Sequence, residues 1–442
     1  MKKEILVSVV PLRLRPSPRR LPGQPRRFLA KARVGVQAAL FLIVIVIAGC
    51  RTQEEAKTPY DNPLPPGQPA LRKITNPQEI PDFTMACLDL TDLRAAISNS
   101  LNYLRKSSSR QFFPLRFSTQ NQIIGGEITH TLAVDSLNAF AELLDSGLMG
   151  RQLHEAIQER FDVYMSVGCD DRGTVLFTGY YTPIFDGSMS RTERFQYPLY
   201  KMPADLVKGP DGEILGRRRA DGQLGPYPSR SVIEDSRMLR GTELAWLGDP
   251  FEVYIAHVQG SAKIRQPDGQ LITVGYAANN GYEYKSISKE LVKDGRISSE
   301  QLSLSAMIDY FKQNKELVDT YVRRNPRFVF FKKEDGAPRG SLNEPVTAFR
   351  SIATDKSIFP RGCLTFISTT LPQATGGTVS NRFYSGFALD QDTGGAIRAA
   401  GRCDIYMGIG DTAGKLAGQT YQEGKLYYLF LKSAQGSEYF AE

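Results

Sequence analysis

The sequence predicts a mainly β fold with flanking helices. Three observations carry that expectation: short β-branched and aromatic runs separated by Gly, Pro, Asn and Asp turns from Thr174 onward, two helical stretches ahead of them, and no repeat of solenoid or propeller period. The chain has 442 residues, 41% of them apolar, which is enough for a sizeable core and two domains.

In chain order, the first element is a basic leader. Residues 1–49 hold ten Lys and Arg side chains against Glu4 alone, so the formal charge of +8 sits in this segment. The remaining 393 residues hold 45 basic and 46 acidic groups and carry no global field to attract nucleic acid. Residues 34–48 are apolar except for Gln37, which is short for a membrane span and suits the apolar region of a signal peptide. The string Val46-Ile47-Ala48-Gly49-Cys50 resembles a bacterial lipoprotein signal, which implies cleavage before Cys50 and lipidation of its thiol. Arg51 after it resembles the outer-membrane sorting pattern, with the mature chain facing the periplasm. The other reading is an uncleaved anchor with an accidental cysteine.

Residues 51–80, with six prolines, read as a tether. Apolar residues then recur at helical intervals in Leu90–Tyr103 and Leu132–Leu144, the second preceded by Thr129 as an N-cap. Strands are predicted at Val175–Phe177, Phe251–Val258, Leu271–Ala277, Phe328–Phe331, Thr347–Ala353, Leu364–Ile367, Phe387–Leu389, Ile405–Met407 and Leu426–Phe430. One helix interrupts them, opened by a capping box of Ser298 and Gln301 and given an apolar side by Leu302, Met307, Ile308 and Phe311. Cys87, Cys169, Cys363 and Cys403 lack metal-ligand spacing, and the three histidines form no HExxH, so a zinc site has no support. Export would allow two disulfides among these cysteines, and separate buried thiols are the alternative.

The chemistry concentrates between Thr347 and Gly418. There lie Ser351-Ile352-Ala353-Thr354-Asp355, Phe359-Pro360-Arg361-Gly362, Asp392-Thr393-Gly394-Gly395-Ala396-Ile397 and Asp404-Ile405-Tyr406. Asp355, Asp392 and Asp404 each stand at or near the end of a short apolar run, where a strand can aim a carboxylate into a cleft. By spacing alone they serve equally as turn acceptors. Together with Phe177–Pro183, Ala245-Trp246-Leu247, Val258–Ser261, Val274–Ala277 and Asn325-Pro326, these motifs resemble the MltA family of membrane-bound lytic murein transglycosylases, whose C-terminal 3D domain is named for three aspartates. The resemblance spans roughly residues 170–430 in family order.

That resemblance implies a double-psi β-barrel with an inserted second β-barrel-like domain and a glycan groove between them. It divides the chain into a signal peptide (1–49), tether (50–80), helical section with the first part of the barrel (81–183), insert (184–331) and 3D domain (332–442). It implies cleavage of the MurNAc-β-1,4-GlcNAc bond of peptidoglycan to 1,6-anhydro ends, with Asp404 as general acid and then base. One carboxyl can serve both steps if burial keeps it substantially protonated before reaction. Asp392 and Asp355 would support the loops, and Thr178, Tyr181, Gln259 and Ser261 would line the groove. The cycle needs no metal or organic cofactor. The implied partners are peptidoglycan strands, a membrane reached through lipidated Cys50, and proteins of cell-wall synthesis or remodelling. The competing readings are a non-catalytic expansin-like binder and a hydrolytic muramidase.

Overall fold

The computed structural model describes residues 59–432 apart from 210–211, 299–303 and 376–377. The signal segment, Cys50 and the Gln301 half of the capping box lie outside the described residues. A strand, β1 (Leu71–Lys73), comes from the stretch predicted to be a tether: Leu71 is 1% exposed, and the strand pairs with two others in the main sheet. Prolines on either side stop short of this apolar patch, whose burial outweighs the extended tendency of its flanks.

Helix α1 (Leu93–Leu104) follows, then β2 (Leu115–Ser118) and β3 (Gly126–Ile128). Thr129 caps α2 (His130–Asp145) by accepting from Leu132 N at 3.1 Å, as its sequence position predicts. After α3 (Gly150–Arg160) the chain lays down β4 (Phe161–Ser166) and β5 (Val175–Thr182).

Beyond Pro183 the chain leaves for a second sheet. Its strands are β6 (Ile184–Ser188) and β7 (Tyr197–Tyr200), followed by a small satellite sheet of β8 (Leu206–Lys208), β9 (Ile214–Arg218) and β10 (Leu224–Gly225). The short helix α4 (Arg230–Ser236) leads to β11 (Glu243–Leu247). Next comes α5 (Pro250–Gln259), where a strand is predicted over 251–258. The reason lies at its ends: the Asp249 carboxylate accepts from Phe251 N at 2.7 Å, Pro250 occupies the first turn, and Gly260 at φ 76° closes the helix. An apolar helix buried on most sides has the composition of a buried strand, so only the caps distinguish them.

β12 (Ser261–Arg265) and β13 (Leu271–Asn279) follow, then helices α6 (Ile287–Lys293), α7 (Leu304–Gln313) and α8 (Val318–Val322), and β14 (Val329–Glu334). The order β14-β13-β12-β6-β11-β7 forms one six-stranded sheet, and a bridge between Lys201 and Phe331 joins its two edges. This is the second, barrel-like β unit. Phe251, Leu291, Phe311 and Tyr321 on its helices share one apolar core with Phe185, Ile264 and Val274 on its strands.

The chain then returns with β15 (Ser351–Ala353), β16 (Leu364–Thr375), β17 (Thr378–Asp392) and β18 (Arg402–Ile409). Helix α9 (Gly410–Gln419) and β19 (Tyr421–Leu431) complete it. Strands run β16-β17-β15-β18-β5-β19, and β19 pairs back onto β16, so six strands close into a barrel. Two of these pairings, β15–β17 and β18–β5, are parallel and the rest antiparallel. One parallel partner, β5, ends at Thr182 while the others begin at Ser351, so the barrel cannot close until both parts of the chain are made. Phe177, Phe366, Phe387 and Ile405, each at most 1% exposed, fill it and contribute about 1.5–3 kcal/mol apiece.

Among the cysteines, Cys87, Cys363 and Cys403 are separate buried thiols. Burial pushes the Cys363 and Cys403 thiols above their ordinary range.

Candidate active site

A row across the barrel sheet assembles the aspartates. Thr178 on β5 stands opposite Asp404 on β18, Asp404 opposite Ala353 on β15, and Ala353 opposite Asp392 on β17. Along β18, side chains alternate: Cys403, Ile405 and Met407 are buried, while Arg402 and Asp404 are half-buried on the other face.

The Asp404 side chain retains 17% of its exposure. The Thr178 hydroxyl donates to its Oδ1, and Arg402 Nη2 stands 3.6 Å from the same oxygen and 3.3 Å from Thr178 Oγ1. Oδ2 has no hydrogen-bond partner among the described residues. One oxygen is thus held and the other presented.

Arg402 was not anticipated from the sequence, although its position two residues before Asp404 on a strand puts both on one face. Its Nε is buried and has no hydrogen-bond partner among the described residues. Tyr180 also lies on this face, its ring 5.1 Å from that of Tyr406. Burial, and then the Asp392 charge, push its phenol far above the usual range.

Asp392 accepts from the backbone of Ser341 and Thr393, both at 2.8 Å, and so ties the 338–343 loop to the barrel. Burial raises its carboxyl above the ordinary range, against these two N–H groups that favour the ionised form. Asp355, 8% exposed, accepts from Ser357 N at 3.1 Å, Ser357 Oγ at 2.6 Å and Ala399 N at 2.9 Å. It fixes a turn and the left-handed residue Ala399 (φ 67°) at the end of the 393–399 loop.

The other predicted groove residues divide. Thr178 touches Asp404. Tyr181 is only 7% exposed, and its ring lies on the opposite face of β5, against Gly414 of α9, because neighbours on a strand point opposite ways. Tyr180 is the aromatic on the aspartate side. Gln259 Oε1 accepts from Tyr181 N at 3.0 Å. Ser261 Oγ lies 3.1 Å from Thr182 Oγ1, which lies 2.9 Å from Tyr406 Oη. Gln259 and Ser261 therefore bolt the inserted sheet to β5 and β18 beside the aspartate row.

Close approach fixes the other flank. A Cβ on Gly395 would stand 3.1 Å from Arg327 Nε and 3.3 Å from Tyr284 Cβ, so any other residue there would push the loop after Asp392 a few tenths of an ångström off the insert.

Beneath the row is a buried ion pair. Lys356 Nζ donates to Asp390, with side chains 5% and 0% exposed, and Asp390 Oδ2 also accepts from Thr354 Oγ1 and Tyr428 Oη, each at 2.7 Å. Burial lowers the Lys356 ammonium below its ordinary range, partly offset by Asp390.

Glu252 on α5 lies near Tyr181, and burial, followed by Asp249 and Asp186, pushes it up to about 7. Its folded pKa exceeds its unfolded one, so the stability it contributes is present below about pH 4.5 and is lost as pH rises through about 7. Glu252→Gln should therefore leave thermal stability unchanged near pH 4 and raise it near pH 8, by about 1–3 kcal/mol. Equal shifts at both pH values would refute the linkage.

Two family models match the chain: an MltA-specific insert domain over residues 176–332 and a 3D domain over residues 350–430. The membrane-bound lytic murein transglycosylase A of Escherichia coli (strain K12) is 30% identical over 371 residues, 83% of this chain and 89% of that protein. A membrane-bound lytic murein transglycosylase from Agrobacterium tumefaciens has a similar structure, with a TM-score of 0.66 and 25% identity, covering 82% of this chain and 98% of that one. Escherichia coli MltA with bound chitohexaose follows at a TM-score of 0.60 and 26% identity, covering 86% and 98%.

Proposed function

The chain belongs to the MltA family, and from that membership we propose that it is a peptidoglycan lytic transglycosylase in which Asp404 serves as general acid and then general base. The observation that carries the assignment is the asymmetry of the carboxyl group: Oδ1 is engaged by Thr178 and Arg402, and Oδ2 is unpartnered among the described residues, on the barrel face beside the insert.

Asp404 gives its proton from Oδ2 to the glycosidic oxygen between MurNAc and GlcNAc, and the bond from C1 to that oxygen breaks. The carboxylate then takes the proton from the MurNAc C6 hydroxyl as that oxygen bonds to C1. The products are a free GlcNAc 4-hydroxyl and a 1,6-anhydro end, and no water enters. Thr178 orients the carboxyl, and Arg402 steadies the negative charge between the two steps. Asp392 and Asp355 hold the flanking loops. Residues 184–331 wall one side of the groove, and Gln259 and Ser261 fix that wall to the barrel.

Mass spectrometry of digested peptidoglycan tests this reading. Anhydro products are expected, and products one water heavier would establish a muramidase instead.

Cys50 is the proposed lipid attachment site, with the enzyme held at the outer membrane and facing the periplasm. No helix among the described residues is long and apolar enough to cross a membrane. Metabolic fatty-acid label should vanish on Cys50→Ala, and label that persists would reject that site.

A further inference from the structure

Arg327 is a half-buried cation whose surroundings leave its charge unanswered. Its backbone is fixed: Arg230 Nη2 donates to its carbonyl at 2.9 Å, and its N–H donates to Asn325 Oδ1 at 3.2 Å. Its Nη1 donates to the Tyr282 carbonyl at 2.9 Å, and the guanidinium lies against Gly395. The half-buried Arg323 and Arg324 are answered by carboxylates, Asp235 at 2.6 Å and Asp294 at 2.8 Å, as is the buried Arg350 by Asp89 at 3.1 Å, whereas the half-buried Arg361 lies over the Phe112 ring. Among the described residues, no carboxylate comes within 4.0 Å of Arg327.

A second cation lies three residues beyond Gly395 on the same loop. Arg398, on the loop that follows Asp392, is exposed, has no carboxylate within 4.0 Å among the described residues, and makes one long bond to the Ile397 carbonyl at 3.4 Å. Burial, and then the nearby Arg398 charge, hold the Arg327 guanidinium below its ordinary range. Two like charges brought together from two parts of the fold, one on a braced backbone, are unfavourable unless an anion joins them. The position is beside the aspartate row: Gly395, which Arg327 touches, lies three residues after Asp392 at the end of β17.

We propose that Arg327 and Arg398 form a carboxylate-binding subsite that engages muramyl units of the strand, through the lactyl carboxylate or a stem-peptide carboxylate. This deepens the peptidoglycan reading and rests on it. A planar guanidinium with free N–H donors matches a carboxylate bidentately, and an uncharged GlcNAc oligomer offers no such group.

The test is equilibrium binding to the full-length protein in detergent, in an Asp404→Asn background. Three ligands are compared: chitohexaose, glycan strands stripped of stem peptides, and strands bearing them. Arg327→Gln with Arg398→Gln should weaken binding of carboxylate-bearing strands about tenfold or more and leave chitohexaose within about twofold. Loss confined to stripped strands identifies the lactyl group, loss confined to peptide-bearing strands identifies the stem, and loss on both means that either is accepted.

Arg398→Gln alone, at an exposed position, should give part of the loss with unchanged thermal stability, which separates recognition from misfolding. Weakening that extends equally to chitohexaose, or no weakening on either strand, overturns the proposal. If the Asp404→Asn background still cleaves, the catalytic assignment falls, and the arginine effect is then read from KM on the same three ligands.

Discussion

Replacing Asp404 with Asn is expected to reduce peptidoglycan cleavage by about 10²–10⁴-fold, the usual contribution of a positioned acid and base. Asparagine is nearly isosteric and its Oδ1 still accepts from the Thr178 hydroxyl, so the row on β5 and β18 should keep its geometry. What disappears is a transferable proton on the second oxygen. The lost attraction to Arg402 at 3.6 Å, between side chains 20% and 17% exposed, should change stability by about 1 kcal/mol or less. The expected result is a folded protein that binds chitohexaose as before and releases no soluble fragments. A variant that cleaves at the native rate would remove Asp404 from the mechanism. Thr178→Val should be milder, about tenfold, because it removes one hydrogen bond and leaves the acid in place.

The second large effect concerns folding. Lys356→Met strands the Asp390 carboxylate, whose side chain is 0% exposed, inside the barrel without its cation. Removing one partner of a buried pair costs about 3–5 kcal/mol, chiefly the penalty of the charge left behind. Urea unfolding should show a lower midpoint with an unchanged slope. Adding Asp390→Asn should recover part of the loss, because the amide oxygen can still accept from Thr354 and Tyr428 and no buried charge remains. A single variant as stable as the parent, or a double variant no better than the single, would show that the pair contributes little. Activity should fall with stability, because the Thr354 carbonyl also accepts from Thr393 Oγ1 at 2.8 Å, next to Asp392.

Much of the barrel was legible in the sequence because its strands are short apolar runs set off by turns. Val175–Phe177, Leu364–Ile367, Phe387–Leu389 and Leu426–Phe430 all lie in strands of the closed sheet. Phe251–Val258 misled for the same reason, since composition there reports burial and the helix is signalled only by Asp249-Pro250 and Gly260. Leu71 was hidden among prolines. Lys356 could not be recognised as buried from its neighbours, because a buried lysine depends on a distant carboxylate.

By itself the sequence determined which aspartates stand near the ends of apolar runs and, through spacing, that Arg402 and Asp404 share a face. It did not determine which acids meet. Asp390 and Asp392, two residues apart on β17, nominally point the same way. The register irregularity sets Ile352 opposite Asp390 and Ala353 opposite Asp392, so one residue of β15 spans two of β17. A bulge of this kind turns one side chain relative to the other. Asp390 is accordingly buried on Lys356 while Asp392 joins the row of Asp404. Strand alternation is a local property of the chain. Register is set by packing between segments that can be more than 200 residues apart, as Thr178 and Asp404 are, and therefore only the folded barrel decides it.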